Sequence, residues 1–174
     1  MNDFHIDESK IAEIVRAVTG NCRSHNHGEK EHKCSCSKKM TLEIAKKLAQ
    51  RVEKKAAEIG VNAVVAISDK GANPVLVECM DNSYIASYDV AFNKAYTVVA
   101  LKMSTKELKK LAQPGESLYG IQFTNNGRII IFGGGVPLKY DSKIIGGLGV
   151  SGGTEEQDTY LADYGLSVLS EIIE

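Results

Sequence analysis

Three of the chain's four histidines and three of its four cysteines lie between positions 22 and 36, in the stretch CRSHNHGEKEHKCSC. Cys22, His25, His27, His32, Cys34 and Cys36 are soft or borderline donors of the kind that bind zinc, iron or haem iron. Their order, C-x2-H-x-H followed by H-x-C-x-C, departs from zinc-finger spacing, in which C-x2–4-C stands well apart from a second ligand pair. Two readings are open: a metal or haem ligand set, or a solvated linker whose donors are incidental. The elements on either side decide what such a segment can do.

Before it, residues 7–19 place Ile11, Ile14, Val15 and Val18 at i, i+3, i+4 and i+7, one apolar stripe on a helix. Asp7 suits its N-cap, Ile6 its hydrophobic staple and Gly20 its C-terminal stop. A helix this short is marginal alone in water, so the stripe needs a surface, either its own domain or a partner. Residues 1–20 are therefore expected as a terminal helix. Residues 21–39 contain almost no aliphatic side chain and read as a linker that only a crosslink such as a metal would order.

The charge balance narrows the partners. With 21 basic and 22 acidic residues and no long run of one sign, the chain has no footprint for nucleic acid or an anionic membrane. The start, MNDFHIDESK, lacks the basic and apolar regions of a secretory signal, and no run approaches the ~20 apolar residues of a bilayer span. The expectation is a cytoplasmic protein whose cysteines are thiols or ligands, with Cys79 a small core residue.

Residues 40–174 carry the fold signals. Thr41 caps a helix to about Ile59, with Ile44, Ala45, Leu48, Val52 and Ala56 inward and Gly60 as its stop. AVVAI (63–67) and PVLVECM (74–80) form a hairpin across SDKGAN. A helix follows from about Ser83 to Leu101, and Ser104 with Glu107 starts a short third one through a capping box. RIIIF (128–132), VPLKY (136–140) and KIIGGLGV (143–150) read as strands, the last two joined at Asp141 and Ser142. Thr154 with Gln157 opens a final helix. The sum is an α+β fold: an antiparallel sheet of about five strands covered by helices, an αβα sandwich.

The segments MTLEIAKKLA, SDKGANPVLVECMD, NKAYTVVALKMST, LAQPGESLYGIQ, GGGVPLKY and IIGGLGVSGGTEEQD occur in that order. In them residues 40–174 closely resemble the haem-binding family that includes GlcG, HbpS and the C-terminal domain of PduO-type proteins. The resemblance implies the sandwich fold, haem as cofactor, a homo-oligomer, and a setting connected with cobalamin and diol metabolism. It also makes the terminal helix and linker look like an encapsulation peptide that takes cargo into a bacterial microcompartment by docking on its shell. The 39 residues before Met40 are too few for an adenosyltransferase domain, so corrinoid adenosyltransfer is not carried over.

Catalysis finds little support in the residues themselves. The main domain has no histidine, so Ser151 lacks a triad partner and haem iron lacks its commonest ligand. Tyr88, Tyr96, Tyr119, Cys79, Met80 and Met103 remain as iron donors, although such side chains are more often packed than liganding. Gly133, Gly134 and Gly135, like 146–153, permit close approach of a neighbour, either a flat ligand or another subunit. GLGVSG (147–152) formally matches a dinucleotide fingerprint, but no further strand and ribose-binding acid follow. Glu155, Glu156 and Asp158 fit a solvated helix-capping role. Tyr96, Tyr119, Met80 and Gly133–Gly135 are thus the cofactor-binding candidates of a haem-binding module. The alternative is a redox or haem-degrading protein with zinc or iron held by the Cys/His segment.

Overall fold

The computed structural model describes residues 38–173; the helix expected at 7–19 and the Cys/His segment lie outside the described residues. Helix α1 spans Leu42–Glu58. Thr41 begins it, its Oγ1 accepting a hydrogen bond from the Ile44 N–H at 3.2 Å and so satisfying one of the donors a helix start leaves unpaired. Ala45, Leu48, Val52 and Ala56 form its buried stripe. The helix stops where Gly60 adopts φ +70°, which lets the Val61 N–H bond back to the Ala56 carbonyl at 2.9 Å.

Strands β1 (Val64–Asp69) and β2 (Pro74–Cys79) form an antiparallel hairpin. The Asp69 carboxylate organises its turn by accepting the N–H groups of Gly71 and Asn73 at 2.8 and 2.9 Å. Helix α2 spans Ser87–Ala100. It starts later than the sequence suggests, because residues 83–86 are taken up in turns. Helix α3 (Thr105–Leu111) opens on the Ser104–Glu107 capping box, and two short 3-10 turns follow at Ile121–Phe123 and Asn125–Gly127. Strands β3 (Gly135–Tyr140) and β4 (Lys143–Ser151) meet at Asp141 and Ser142. Both turn residues have positive φ, 48° and 62°, the pattern of a hairpin turn whose twist matches its strands. Helix α4 spans Glu155–Ile173, with Thr154 and Gln157 exchanging backbone-to-side-chain bonds at its start.

The sheet has four strands in the order β2-β1-β4-β3, each neighbouring pair antiparallel. Period-two alternation divides its side chains between two faces. Val65, Ile67, Leu148 and Val150 enter the main core with the inner stripes of α1 and α4, while Val64 and Ala66 meet Ala91 and Ala95 of α2. Helices therefore cover both faces, as the αβα sandwich requires. Among the described residues no helix is long and apolar enough to cross a membrane.

The strand expected at 128–132 is absent from the sheet. Ile129 is buried, but the Ile130 N–H donates to Thr97 Oγ1 of α2 at 3.0 Å, and the same hydroxyl lies 3.2 Å from the Arg128 carbonyl. The Thr97 hydroxyl donates to the Asn93 carbonyl at 2.7 Å and accepts the Ile130 N–H, so a helix side chain takes one of the donors that a ladder would otherwise pair. Cys79 also differs from its expected core position. It ends the edge strand β2 and is exposed.

Glycines in β4 set how closely α2 lies on the sheet. A Cβ on Gly149 would stand 2.7 Å from the Ala95 nitrogen and 2.9 Å from Lys94 Cβ, and one on Gly147 would stand 2.7 Å from Val98 Cγ2. Gly147 and Gly149 thus face the backbone of α2, alternating with Leu148 and Val150 on the core face. The close neighbour is the chain's own helix. GLGVSG lies mostly within a strand, not in a strand-to-helix phosphate turn, which removes the dinucleotide reading.

Candidate functional site

The inner face of α2 carries a buried charge. The Lys94 side chain is 0% exposed, and its Nζ donates to Asp158 Oδ2 of α4 at 2.8 Å and to the Val150 carbonyl at 2.7 Å. Its third neighbour is the ring of Phe132, with the centroid 5.0 Å from Nζ. Burial pushes the Lys94 ammonium below its ordinary pKa, and the attraction of Asp158 opposes that fall. Asp158 is therefore not a solvated helix-start acid. Its side chain is 5% exposed, and its other oxygen accepts the Gly153 N–H at 3.0 Å. Neither residue stands out as buried in the sequence, because a Lys on α2 and an acid in the first turn of α4 both read as surface.

Gly133, Gly134 and Gly135 close over this pair. The Gly133 N–H donates to Glu155 Oε1 and the Gly135 N–H to Thr105 Oγ1, both at 2.9 Å, and the Gly134 carbonyl accepts from the Val150 N–H at 2.8 Å. Gly134 has φ +105°, and a Cβ there would stand 2.6 Å from Lys94 Nζ and 2.7 Å from Asp158 Cβ. The space the three glycines leave is filled by the protein's own atoms. Glu155 also pairs with Lys109 at 2.6 Å. That hydrogen bond and the Gly133 N–H hold its carboxyl below the usual range.

The outer face of α2 is different. Tyr88, Phe92 and Tyr96 follow one another at intervals of one turn. The rings of Tyr88 and Phe92 are parallel within 2°, with centroids 6.3 Å apart. The Arg128 guanidinium lies 3.7 Å from the Tyr96 centroid and 5.6 Å from that of Phe92, and its Nε donates to Asn93 Oδ1 at 3.4 Å. Among the described residues it has no carboxylate partner. The Tyr96 hydroxyl accepts from Asn125 Nδ2 at 3.2 Å. Tyr84 and Ile85 precede the helix and are 73% and 97% exposed. Tyr84, Ile85 and Tyr88 thus form exposed aromatic and aliphatic surface near a cation, while Phe92 and Tyr96 are half-buried.

The remaining donors are dispersed. Met80 packs against the main core and its sulfur accepts the Ala63 N–H at 3.3 Å, so the thioether is already engaged. Tyr119 is 64% exposed in the loop after α3. Close to it in sequence, Gln122 Oε1 is buried with no hydrogen-bond partner among the described residues. Ser151 Oγ donates to Ser87 Oγ at 3.1 Å, a buried structural contact. Among the described residues no three His, Cys, Asp or Glu side chains cluster for a metal. A cavity of about 460 Å³ at the start of α4 is lined by Asn62, Asn82, Tyr84 and Gln157, but its loop N–H groups at Gly153 and Thr154 are already satisfied by Asp158 and Gln157.

For haem, the donor set fits through oxygen. The described residues hold no histidine, whereas Tyr119 is an exposed phenol and Tyr96 a half-buried one, and tyrosine is an established haem-iron ligand. The apolar outer face of α2 matches the character of a porphyrin, and Arg128 matches its carboxylates.

Residues 40–167 match the family described as haem degrading protein HbpS-like. A 15.0 kDa protein of the dhaT–dhaS intergenic region of Citrobacter freundii is 50% identical over 133 residues, covering 76% of this chain and 94% of that one. The corrinoid adenosyltransferase PduO of Salmonella typhimurium is 36% identical over 123 residues, 71% of this chain but only 37% of PduO. The crystal structure of a PduOC:heme complex superposes with a TM-score of 0.72 at 34% identity, covering 75% of this chain and 94% of that one.

Proposed function

Because this chain belongs to the HbpS-like family, we propose that it is a haem-binding protein whose iron is ligated by a tyrosine of the main domain, Tyr96 or Tyr119. The observation that carries the reading is the pairing of a haem-bound relative of the same fold with one exposed and one half-buried phenol in a domain whose described residues hold no histidine. Bound haem would supply a redox-active iron, and the phenol oxygen of Tyr96 or Tyr119 would hold it. This chain's part is to present the phenol and shelter the macrocycle on apolar ground. Met80 and Gly133–Gly135 are the weaker candidates, since their surroundings are already filled.

Haem titration followed by absorption tests this. A saturable Soret band is expected, shifted in Tyr96→Phe or in Tyr119→Phe. Loss of the band in neither variant, with wild-type spectra throughout, refutes tyrosine ligation, and no band in the wild type refutes haem binding.

The family description favours a second reading, haem degradation. It is distinguished by the Soret band bleaching when reductant and oxygen are supplied, while the non-catalytic module keeps its band. The finer proposals concern residues 1–39 and assembly: that 7–19 docks on a microcompartment shell, that Cys22, His25, His27, His32, Cys34 and Cys36 hold zinc, iron or the haem iron, and that the domain is a homo-oligomer. The resemblance to PduO-type proteins supports the first, and donor chemistry supports the second. Replacing Ile11 and Val15 by Asp should abolish shell co-purification without lowering the melting temperature. Changing the three cysteines to Ser should remove any bound metal, read by elemental analysis.

A further inference from the structure

We propose that Arg128 is the carboxylate-binding residue of the haem site, and that the outer face of α2 is the platform on which the porphyrin lies; this rests on the haem reading above. The observations concern one small region. Arg128 is half-buried between the rings of Phe92 and Tyr96, 5.6 and 3.7 Å from their centroids, and its Nε is oriented by Asn93. A guanidinium held against these rings loses little further freedom when it binds, and its two terminal nitrogens form the fork that a carboxylate accepts in bidentate fashion. No carboxylate among the described residues takes that fork.

The ground beside it is largely aromatic. Tyr88 is 48% exposed and its ring runs parallel to that of Phe92, while Ile85 projects almost wholly into solvent. A ligand suited to this surface is planar, largely apolar and anionic at its rim. A macrocycle with carboxylate side chains meets all three conditions. An unmodified aliphatic acid lacks the plane, and a nucleotide would bring phosphate to a surface with one cation. The geometry also accounts for the Tyr96 hydroxyl, which lies on the same helix face as the platform and is held by Asn125.

The test uses the full chain, haem, and haem dimethyl ester, in which both carboxylates are masked. Binding is read from the Soret band and from quenching of tyrosine fluorescence, which is unobscured because the chain has no tryptophan. Arg128→Ala is expected to weaken haem binding by roughly 10- to 100-fold, the range for a charge-assisted hydrogen bond, and to leave ester binding within about threefold of wild type. Arg128→Lys should recover only part of the loss, since an ammonium keeps the charge but not the fork. Phe92→Ala should weaken both ligands alike. Equal losses for haem and ester in Arg128→Ala would mean that the arginine acts by packing on Tyr96, and unchanged affinity for both would mean that the porphyrin lies elsewhere; either overturns the proposal while haem binding stands. Failure of the wild type to bind haem overturns both. Thermal melts of each variant separate a lost contact from a lost fold.

Discussion

Replacing Asp158 by Ala tests whether the Lys94 pair holds the sandwich together. The substitution leaves an ammonium that is 0% exposed with the Val150 carbonyl and the face of Phe132 as its remaining partners. It also strips the Gly153 N–H of its acceptor. Breaking one side of a buried pair costs about 3–5 kcal/mol. The lysine has an escape, however, because it can fold neutral. Deprotonating an ordinary lysine at pH 7 costs about 1.4 kcal/mol per pH unit, near 5 kcal/mol in all, so the penalty has a ceiling of that order. At about 3–4 °C per kcal/mol for a domain of this size, the melting temperature should fall by roughly 9–20 °C.

The escape gives the experiment a second readout. Burial already lowers the folded pKa of Lys94, so between the folded and unfolded values the unfolded chain binds more protons and stability rises with pH. Removing Asp158 lowers the folded value further and widens that window downward. The melting-temperature gap between wild type and Asp158→Ala should therefore shrink as pH is raised from 7 towards 9.5, measured by circular dichroism. Lys94→Met combined with Asp158→Asn should recover much of the loss, since it buries no unpaired charge and keeps an acceptor for Gly153. A fall below about 3 °C at pH 7, or a gap that does not change with pH, refutes the assignment of a charged, stabilising pair.

Further outcomes follow from other contacts. Gly149→Ala should lower stability by at least the ~1–3 kcal/mol typical of overpacking, because its Cβ meets α2 backbone that cannot move aside; a thermal melt within 2 °C of wild type argues against that close approach. Glu53 of α1 lies against Glu78 of β2, and burial first, then the like charge, raise its pKa. The folded state thus takes up the proton more readily, stability from this group grows as pH falls through the folded pKa, and Glu53→Gln should raise the melting temperature at pH 7 but not near pH 4. Glu155, held low by Lys109 and the Gly133 N–H, contributes stability above the unfolded carboxylate pKa that is lost as pH falls through the folded one. Glu155→Gln should flatten that acid limb in a pH series of thermal melts.

Most of the fold was legible because its signals are local. Thr41, Ser104 with Glu107 and Thr154 with Gln157 each cap a helix where the sequence indicates, and four of the five runs read as strands fall in β1 to β4. The misreadings arise where distant residues meet. RIIIF has the composition of a strand, but Thr97, some thirty positions earlier, accepts the N–H of Ile130. Cys79 has apolar neighbours in sequence, but its strand lies at the sheet edge, a fact of strand order that composition does not encode. Lys94 and Asp158 carry no periodic signal that distinguishes a buried charge from a solvated one.

The two faces of α2 explain why site and stability are separable here. Its inner face is fixed by glycines in β4 and by Lys94, so its position on the sheet leaves little room for adjustment. Its outer face carries Tyr88, Phe92 and Tyr96 on that fixed backbone, with Arg128 delivered by the very segment that Thr97 binds in place of a strand. Had 128–132 joined the sheet, its backbone bonds would have gone to a ladder and not to α2, and the guanidinium would have lost the tether that sets it against Tyr96. Thr97→Val is the substitution that tests this link. It removes the hydroxyl that accepts from Ile130 while nearly keeping the side chain's volume, at a cost of about 1 kcal/mol for the half-buried donor left unpaired. If the docked segment positions Arg128, Thr97→Val should weaken haem more than haem dimethyl ester, as Arg128→Ala does though less severely. Equal effects on the two ligands would show that the arginine keeps its place without the tether.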